Sequence, residues 1–222
     1  MAKAATHDTA APGAVERRLD SLRELTEADP VAARDAAWAW IVEAGHRFHD
    51  DRAGAGAELA ELFRAGTPPR EIDGPTRGAL VTLTVHPTFD RMSAALATLW
   101  LPWTGKRFDA AAARGENQLR RSARWPARLM WPGYRMRETA EGLAAFEFET
   151  RVEPGRLDPD VDVLVIDYDP VASNPRFIIA RIRDELVEIV PGANLGKILW
   201  RRRAGDRYAL LGYFALQTPP RA

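Results

Sequence analysis

The sequence predicts an α+β protein, in which a helical N-terminal region packs on a mainly antiparallel β-barrel or a strongly curved sheet. Three observations carry this. Residues 14–65 are rich in Ala, Leu, Glu and Arg, with apolar side chains at helical spacing. The C-terminal part reads as three strands in a meander separated by tight turns. The last of these strands is apolar on both faces, which in a meander places one face in an interior and the other under helices. A flat α+β sheet with helices on both sides is the main alternative.

Residues 1–13 mix Ala, Thr, Asp and Pro without an apolar segment, so a mobile tail is expected, and neither a secretory signal nor an anchor. The helical region is set at residues 14–69. Leu19, Leu22 and Leu25 start a stripe, Asp29-Pro30 interrupts it, and Ala37, Trp40, Ile41 and Ala44 resume before Gly45. Leu59, Leu62 and Phe63 mark a third short piece at 57–64, and Gly66-Thr67-Pro68-Pro69 ends the region because consecutive prolines cannot continue a helix.

Residues 70–219 form the expected barrel domain. Its first strand is 79–85, where Leu80, Val81, Leu83 and Val85 mix with threonines before Pro87. Phe89, Met92, Leu96, Leu99 and Trp100 recur at helical intervals over 88–101, predicting a helix that covers or caps the sheet. Period-two order over 143–150 sets Phe146 and Phe148 against Glu147 and Glu149, a half-exposed strand. Residues 161–169 are apolar on both sides, with Leu164, Ile166 and Tyr168 opposing Val163, Val165 and Asp167, so this strand is central. Asn174-Pro175 offers an N-cap and a first-turn proline ahead of Phe177, Ile178, Ile182 and Leu186, predicting a short helix. Strands at 185–190, 194–202 and 207–217 follow, with turns at Pro191-Gly192 and Ala204-Gly205-Asp206. In the last one, Tyr208, Leu210 and Phe214 oppose Leu211, Tyr213 and Ala215.

Composition excludes several classes of function. The formal net charge is zero, which removes the bulk attraction for nucleic acid or an anionic surface, so no nucleic-acid partner is expected. Without cysteine there is no disulfide, thiolate nucleophile or cysteine-ligated metal. The most apolar stretch, 94–103, is broken by Thr98 and Pro102 and falls short of the roughly 20 residues that a spanning helix needs. No membrane span is expected, and the cytoplasm is the default location. No phosphate-cradling loop, dinucleotide fingerprint or Gly-x-Ser-x-Gly elbow is present.

Candidate chemistry starts with lysine. Of thirty-one basic residues only Lys3, Lys106 and Lys197 are lysine, and the last two each follow a glycine. A compact ammonium differs from a planar guanidinium, so these two positions are candidates for holding one anion together or for a desolvated amine nucleophile. Lys197 shares a strand side with Leu195 and Leu199, where its pKa would fall. Each lysine is equally read as lying exposed at a rim.

Between Asn117 and Glu138 six arginines, Arg128 among them, interleave with Trp125, Trp131 and Tyr134 without an acid. They form either a site for an anionic head or a solvated face around core tryptophans. Asp167 and Tyr168 lie at the end of the central strand near Arg181, Arg183 and Asp184, a candidate base or a structural ion-pair network. Trp103, Trp200 and Tyr213 are further pocket-wall or core aromatics, and His86, before Pro87, lies at an expected strand end near a barrel mouth. His46 and His49 lack the framework of a metal motif, so neither metal nor cofactor is expected.

The segment Trp103-Thr104-Gly105-Lys106-Arg107-Phe108, downstream of Gly74-Pro75-Thr76-Arg77-Gly78, resembles the GxWxG-type, lipocalin-like proteins of unknown function. There a glycine-bracketed motif opens the barrel and an aromatic-x-Gly-Lys-x-Phe element follows a helix. Thr76 stands where that motif has tryptophan. The resemblance implies a lipocalin-like β-barrel with a hydrophobic interior.

These readings combine into one expectation: the barrel binds a hydrophobic small molecule with an anionic or carbonyl end. Trp103, Trp125, Trp131, Trp200, Arg128 and His86 would form the binding wall, and Lys106, Lys197, Asp167, Tyr134 and Tyr213 would be the polar or catalytic groups. The alternative is a barrel enzyme of secondary metabolism that cyclises or isomerises a polyketide-like or polyene chain by shape and a few donors. A partner-binding module using the arginine-aromatic surface is a third reading, and the oligomeric state is left undecided.

Overall fold

One residue both ends the first helix and begins the second. The Asp29 carboxylate accepts the backbone N–H groups of Val31 at 3.1 Å and Ala32 at 2.9 Å, with Pro30 in the first turn, where its missing N–H costs nothing. The computed structural model describes residues 13–83, 102–202 and 207–219. It begins with α1 (Ala14–Ala28), α2 (Pro30–Arg47) and α3 (Arg52–Arg64). The third starts earlier than 57 because Asp51 caps it, accepting from Gly54 N at 2.8 Å. Val15, Leu19 and Leu22, then Ala37, Trp40, Ile41 and Ala44, then Leu59, Leu62 and Phe63, bury one continuous apolar face. A Cβ on Gly45 would lie 2.6 Å from the Val81 carbonyl oxygen, so this glycine lets α2 lie directly on a strand.

Ten strands follow among the described residues: β1 (Gly74–Pro75), β2 (Arg77–Leu83), β3 (Trp103–Asp109), β4 (Arg114–Leu119), β5 (Arg137–Thr139), β6 (Gly142–Pro154), β7 (Asp162–Asp167), β8 (Ile182–Val190), β9 (Ala193–Arg201) and β10 (Tyr208–Gln217). A fourth helix, α4 (Arg124–Met130), lies between β4 and β5. All pairings are antiparallel, in the order β1-β3-β4-β6-β7-β8-β9-β10-β2 with β5 added on β6.

Closure comes from one short stretch of chain. β1 and β2 are consecutive, yet β1 pairs with β3 at one end of the strand order and β2 with β10 at the other. The result is a nearly closed barrel. At the crossing, Thr76 N–H and its hydroxyl both reach the Lys106 carbonyl at 2.8 Å, and the hydroxyl accepts from Lys106 N at 3.2 Å. Gly105 has φ +152°, and a Cβ there would sit 2.0 Å from the Thr76 carbonyl oxygen.

The wall is apolar on both sides. Phe108, Phe148, Ile166, Tyr168, Ile182, Trp200 and Phe214 turn inward, whereas Val163, Val165, Val187, Leu195, Tyr213 and Ala215 turn toward the helices. This matches the two faces expected for the central strand, which lies between β6 and β8.

Three expectations need correction. No helix follows Asn174-Pro175: the segment makes only a 3-10 turn at Ile179–Arg181, and β8 begins at Ile182. Asn174 instead donates to the carbonyls of Glu147 at 2.7 Å and Tyr168 at 3.0 Å. Ile182 and Leu186, four apart, share a face in a strand as well as in a helix, so their spacing did not discriminate. The phase of β10 also flips. A register shift between Leu210 and Gly212 leaves Leu210 on the helix side and turns Leu211 inward with Phe214. Finally, the β3–β4 hairpin was not anticipated, because Arg114–Leu119 carries mostly polar residues. The helix expected at 88–101, the 204–206 turn, His86 and residues 1–12 lie outside the described residues.

Replacing Gly105 by Ala forces its Cβ against a backbone carbonyl and is expected to destabilise the barrel by more than about 2 kcal/mol. Gly133→Ala, where a Cβ meets nothing within 4 Å, should change stability little, and urea denaturation compares the two.

Candidate functional site

Strand alternation carries Lys106 to the inside of the barrel. It shares the face of Phe108 on β3, and its side chain is 3% exposed. Nζ lies 2.9 Å from Asp184 Oδ2 on β8, 2.5 Å from the Tyr168 hydroxyl just after β7, and 2.9 Å from Asn117 Oδ1 on β4. Four strands thus converge on one ammonium. Tyr168 donates to the same Asp184 oxygen at 2.9 Å and accepts from Asn117 Nδ2 at 3.2 Å. Asn117 Nδ2 also donates to the Phe146 carbonyl at 3.1 Å, and Trp103 Nε1 donates to Asn117 Oδ1 at 3.1 Å.

The surroundings are aromatic. Ring centres of Trp103, Phe148, Tyr168 and Phe214 lie 5.6, 5.3, 5.2 and 5.3 Å from Nζ. Burial pushes the Lys106 ammonium below the usual lysine range, opposed by the charge and hydrogen bond of Asp184. Burial and the Asp184 charge push the Tyr168 phenol well above its ordinary value, so it stays a proton donor. Asp184 Oδ1 has no hydrogen-bond partner among the described residues.

A cavity of about 40 Å³ opens beside these four polar groups, room for a few waters or a small functional group. Leu80, Trp103, Phe146, Ile182, Ile198 and Phe214 supply its apolar walls. Leu80 is 38% exposed, so the cavity borders the surface where β2 and β3 face each other without pairing. Gly196 keeps the back wall thin, since a Cβ there would lie 2.1 Å from the Phe214 ring.

Phe146 is held at φ +51°, a conformation that costs a non-glycine residue of order 1–3 kcal/mol. It sits where β4 and β6 shift register. Its displaced backbone groups are taken by side chains: the N–H by the Tyr134 hydroxyl and the carbonyl by Asn117. Tyr134 stacks on the Phe146 ring at 5.0 Å, and Trp131 packs edge-on at 5.4 Å. Both therefore back a cavity wall without lining the cavity.

The remaining candidates scatter. Lys197 is buried on the opposite face of the wall, bonded to Asp158 and lying 4.1 Å above the Phe63 ring of α3, so the two lysines do not converge on one anion. Tyr213 shares that helix-facing side. Asp167 pairs with Arg151 at 2.9 Å and faces away from the cavity. Trp200 is a core residue stacked under Arg181 at 4.3 Å. Trp125 is 77% exposed, and Arg128 is exposed beside it on α4. His46 and His49 are exposed, and among the described residues no group of three or more possible ligands is suited to a metal.

The site residues outside the initial candidates are Asn117, Tyr168 and Asp184. Parity held the signal for two of them. Tyr168 alternates with Leu164 and Ile166, and Asp184 with Ile182 and Leu186, so an ionisable residue falls on an otherwise apolar interior face. Asn117 carried no comparable signal.

Asp184→Asn leaves the Lys106 charge unpaired in apolar surroundings and should lower the unfolding free energy by about 3–5 kcal/mol. The double variant Lys106→Met with Asp184→Leu should recover most of that loss in denaturant titrations, because Tyr168 and Asn117 retain each other as partners. A separate expectation concerns alkali. Burial raises Tyr213 to about 12, above its ordinary value of 10.0, so its protonated form contributes stability below pH 10 that is lost as pH rises through 12. Between about pH 9.5 and 11.5 the wild type should lose roughly 1.5–2 kcal/mol more than Tyr213→Phe, read by denaturation at each pH.

No family model matches the chain, and no curated protein matches it. Among solved structures, the crystal structure of a protein from Thermomonospora curvata is 20% identical, covering 80% of this chain and 99% of that one, with a TM-score of 0.41. The barrel assignment rests on the chain's own strand pairing.

Proposed function

We propose that the barrel binds a small apolar molecule through a carbonyl end seated at Lys106, Tyr168 and Asn117. One observation carries this reading: a charged amine and a phenol donor stand at the wall of an aromatic cavity inside the barrel. Sites of this type pair a mostly apolar lining with a few convergent polar groups that orient the ligand.

Charge balance favours a neutral carbonyl over an anionic head. Asp184 already neutralises Lys106, so a second carboxylate would leave a net negative charge in a low-dielectric interior. A carbonyl oxygen accepts from the ammonium or the phenol without changing that balance. The cavity admits the head group, and the body of a longer molecule follows Trp103 and Leu80 toward the gap between β2 and β3.

The cyclase or isomerase reading draws on a different observation, the unpartnered Asp184 Oδ1 beside a protonated phenol, a base next to an acid. It would require turnover of a bound chain in addition to binding.

Calorimetric titration with methyl cinnamate and with the cinnamate anion separates carbonyl from carboxylate on one apolar skeleton. The ester should bind at least about tenfold more tightly to the wild type, and Asp184→Asn should move the preference toward the anion. Tighter binding of the anion by the wild type, or no binding of either, would sink the proposal.

A further inference from the structure

We propose that Lys106 forms a protonated imine with its carbonyl ligand, with Asp184 as the counter-ion; this rests on the carbonyl-binding reading above and adds a covalent step to it.

The hydrogen-bond network around Lys106 is redundant in the way such a bond requires. An ammonium has three N–H groups, and Lys106 directs them to Asp184, Tyr168 and Asn117. A protonated imine has one. When two are lost, no partner is stranded: Tyr168 still donates to Asp184 and accepts from Asn117 Nδ2, and Asn117 Oδ1 still accepts from Trp103 Nε1. The one remaining N–H stays on Asp184 Oδ2, so the ion pair survives with its charge unchanged. A site that used Lys106 only as a structural cation would not need these second bonds.

The neighbouring groups also supply the proton transfers. Asp184 takes a proton from the ammonium, and the freed lone pair forms the N–C bond to the carbonyl carbon. The acid returns its proton to the carbonyl oxygen, giving a carbinolamine. Asp184 then removes one nitrogen proton and passes it to the hydroxyl, which leaves as water while the nitrogen lone pair closes the C=N bond. One carbonyl compound and one ammonium become one protonated imine and one water, with no oxidant or reductant. Burial lowers the cost of the neutral amine, and the aromatic lining keeps bulk water from reversing the step. Lys197 lacks this setting, since it faces the helices and lies beneath Phe63. The ligand class that follows is an apolar aldehyde or unhindered ketone, and carboxylic acids are excluded.

The low lysine content makes the test clean. Wild-type protein is incubated with cinnamaldehyde, followed by absorbance for the red-shifted band of a conjugated protonated imine, then reduced with sodium borohydride and mapped by peptide mass spectrometry. The expected result is a reduced adduct concentrated on Lys106, with Lys3 and Lys197, the other lysines of the chain, as internal references. An adduct spread evenly over the lysines, or absent from Lys106, overturns the imine. Methyl cinnamate, a carbonyl compound not expected to form an imine under these conditions, distinguishes the two failures. If it binds in the calorimeter while Lys106 stays unlabelled, only the covalent step is wrong. If neither ligand engages, the carbonyl-binding reading fails with it.

Discussion

A single ammonium inside an apolar barrel imposes a constraint that much of the architecture answers. An unpaired charge in such surroundings costs many kcal/mol, so Lys106 on β3 requires Asp184 on β8, and three more polar groups complete the shell. Those partners come from β4, the end of β7 and β8, strands separated in the sheet order. The pair therefore ties opposite walls together across the interior. Pairs of this kind are commonly no more stabilising than apolar side chains of similar volume, which makes their placement beside a cavity informative about use.

The same residue is held at its backbone by the element that closes the barrel. Thr76 bonds both the N–H and the carbonyl of Lys106, at the point where the chain passes from pairing with β3 to pairing with β10. Gly105 gives the close approach that this requires. Closure of the barrel and presentation of the amine are therefore one local structure. The strained Phe146 backbone plays a parallel part on the far wall, where Asn117 serves both the Lys106 shell and the displaced carbonyl.

A second charged network lies on the outer face of β8 and β9, beneath the 155–162 loop. Arg183 bonds Glu185 and Glu153, Lys197 bonds Asp158, and Glu185 also accepts from Arg156 N. Within three consecutive residues of β8, Asp184 faces the cavity while Arg183 and Glu185 face outward, and all three are buried. Alternation sorts a single charged run into two independent networks on opposite sides of one wall.

The sequence by itself determined the architecture. Helical spacing in residues 14–65, two-sided apolarity of 161–169 and the C-terminal meander required helices on one side of a curved antiparallel sheet, because each apolar face must be covered. It singled out Lys106 through scarcity and the glycine before it, and it marked Trp103 beside it. What it left undecided follows from the period of two. Ile182 and Leu186 fit a helix or a strand equally, and the bulge near Leu211 reverses a face that unbroken alternation assigns the other way. Tertiary structure alone decided that Lys106 and Lys197 lie on opposite sides of the wall. It also brought Asn117, Tyr168 and Asp184, from three distant segments, to that amine, since strand order and register set which inward residues meet and local sequence encodes neither.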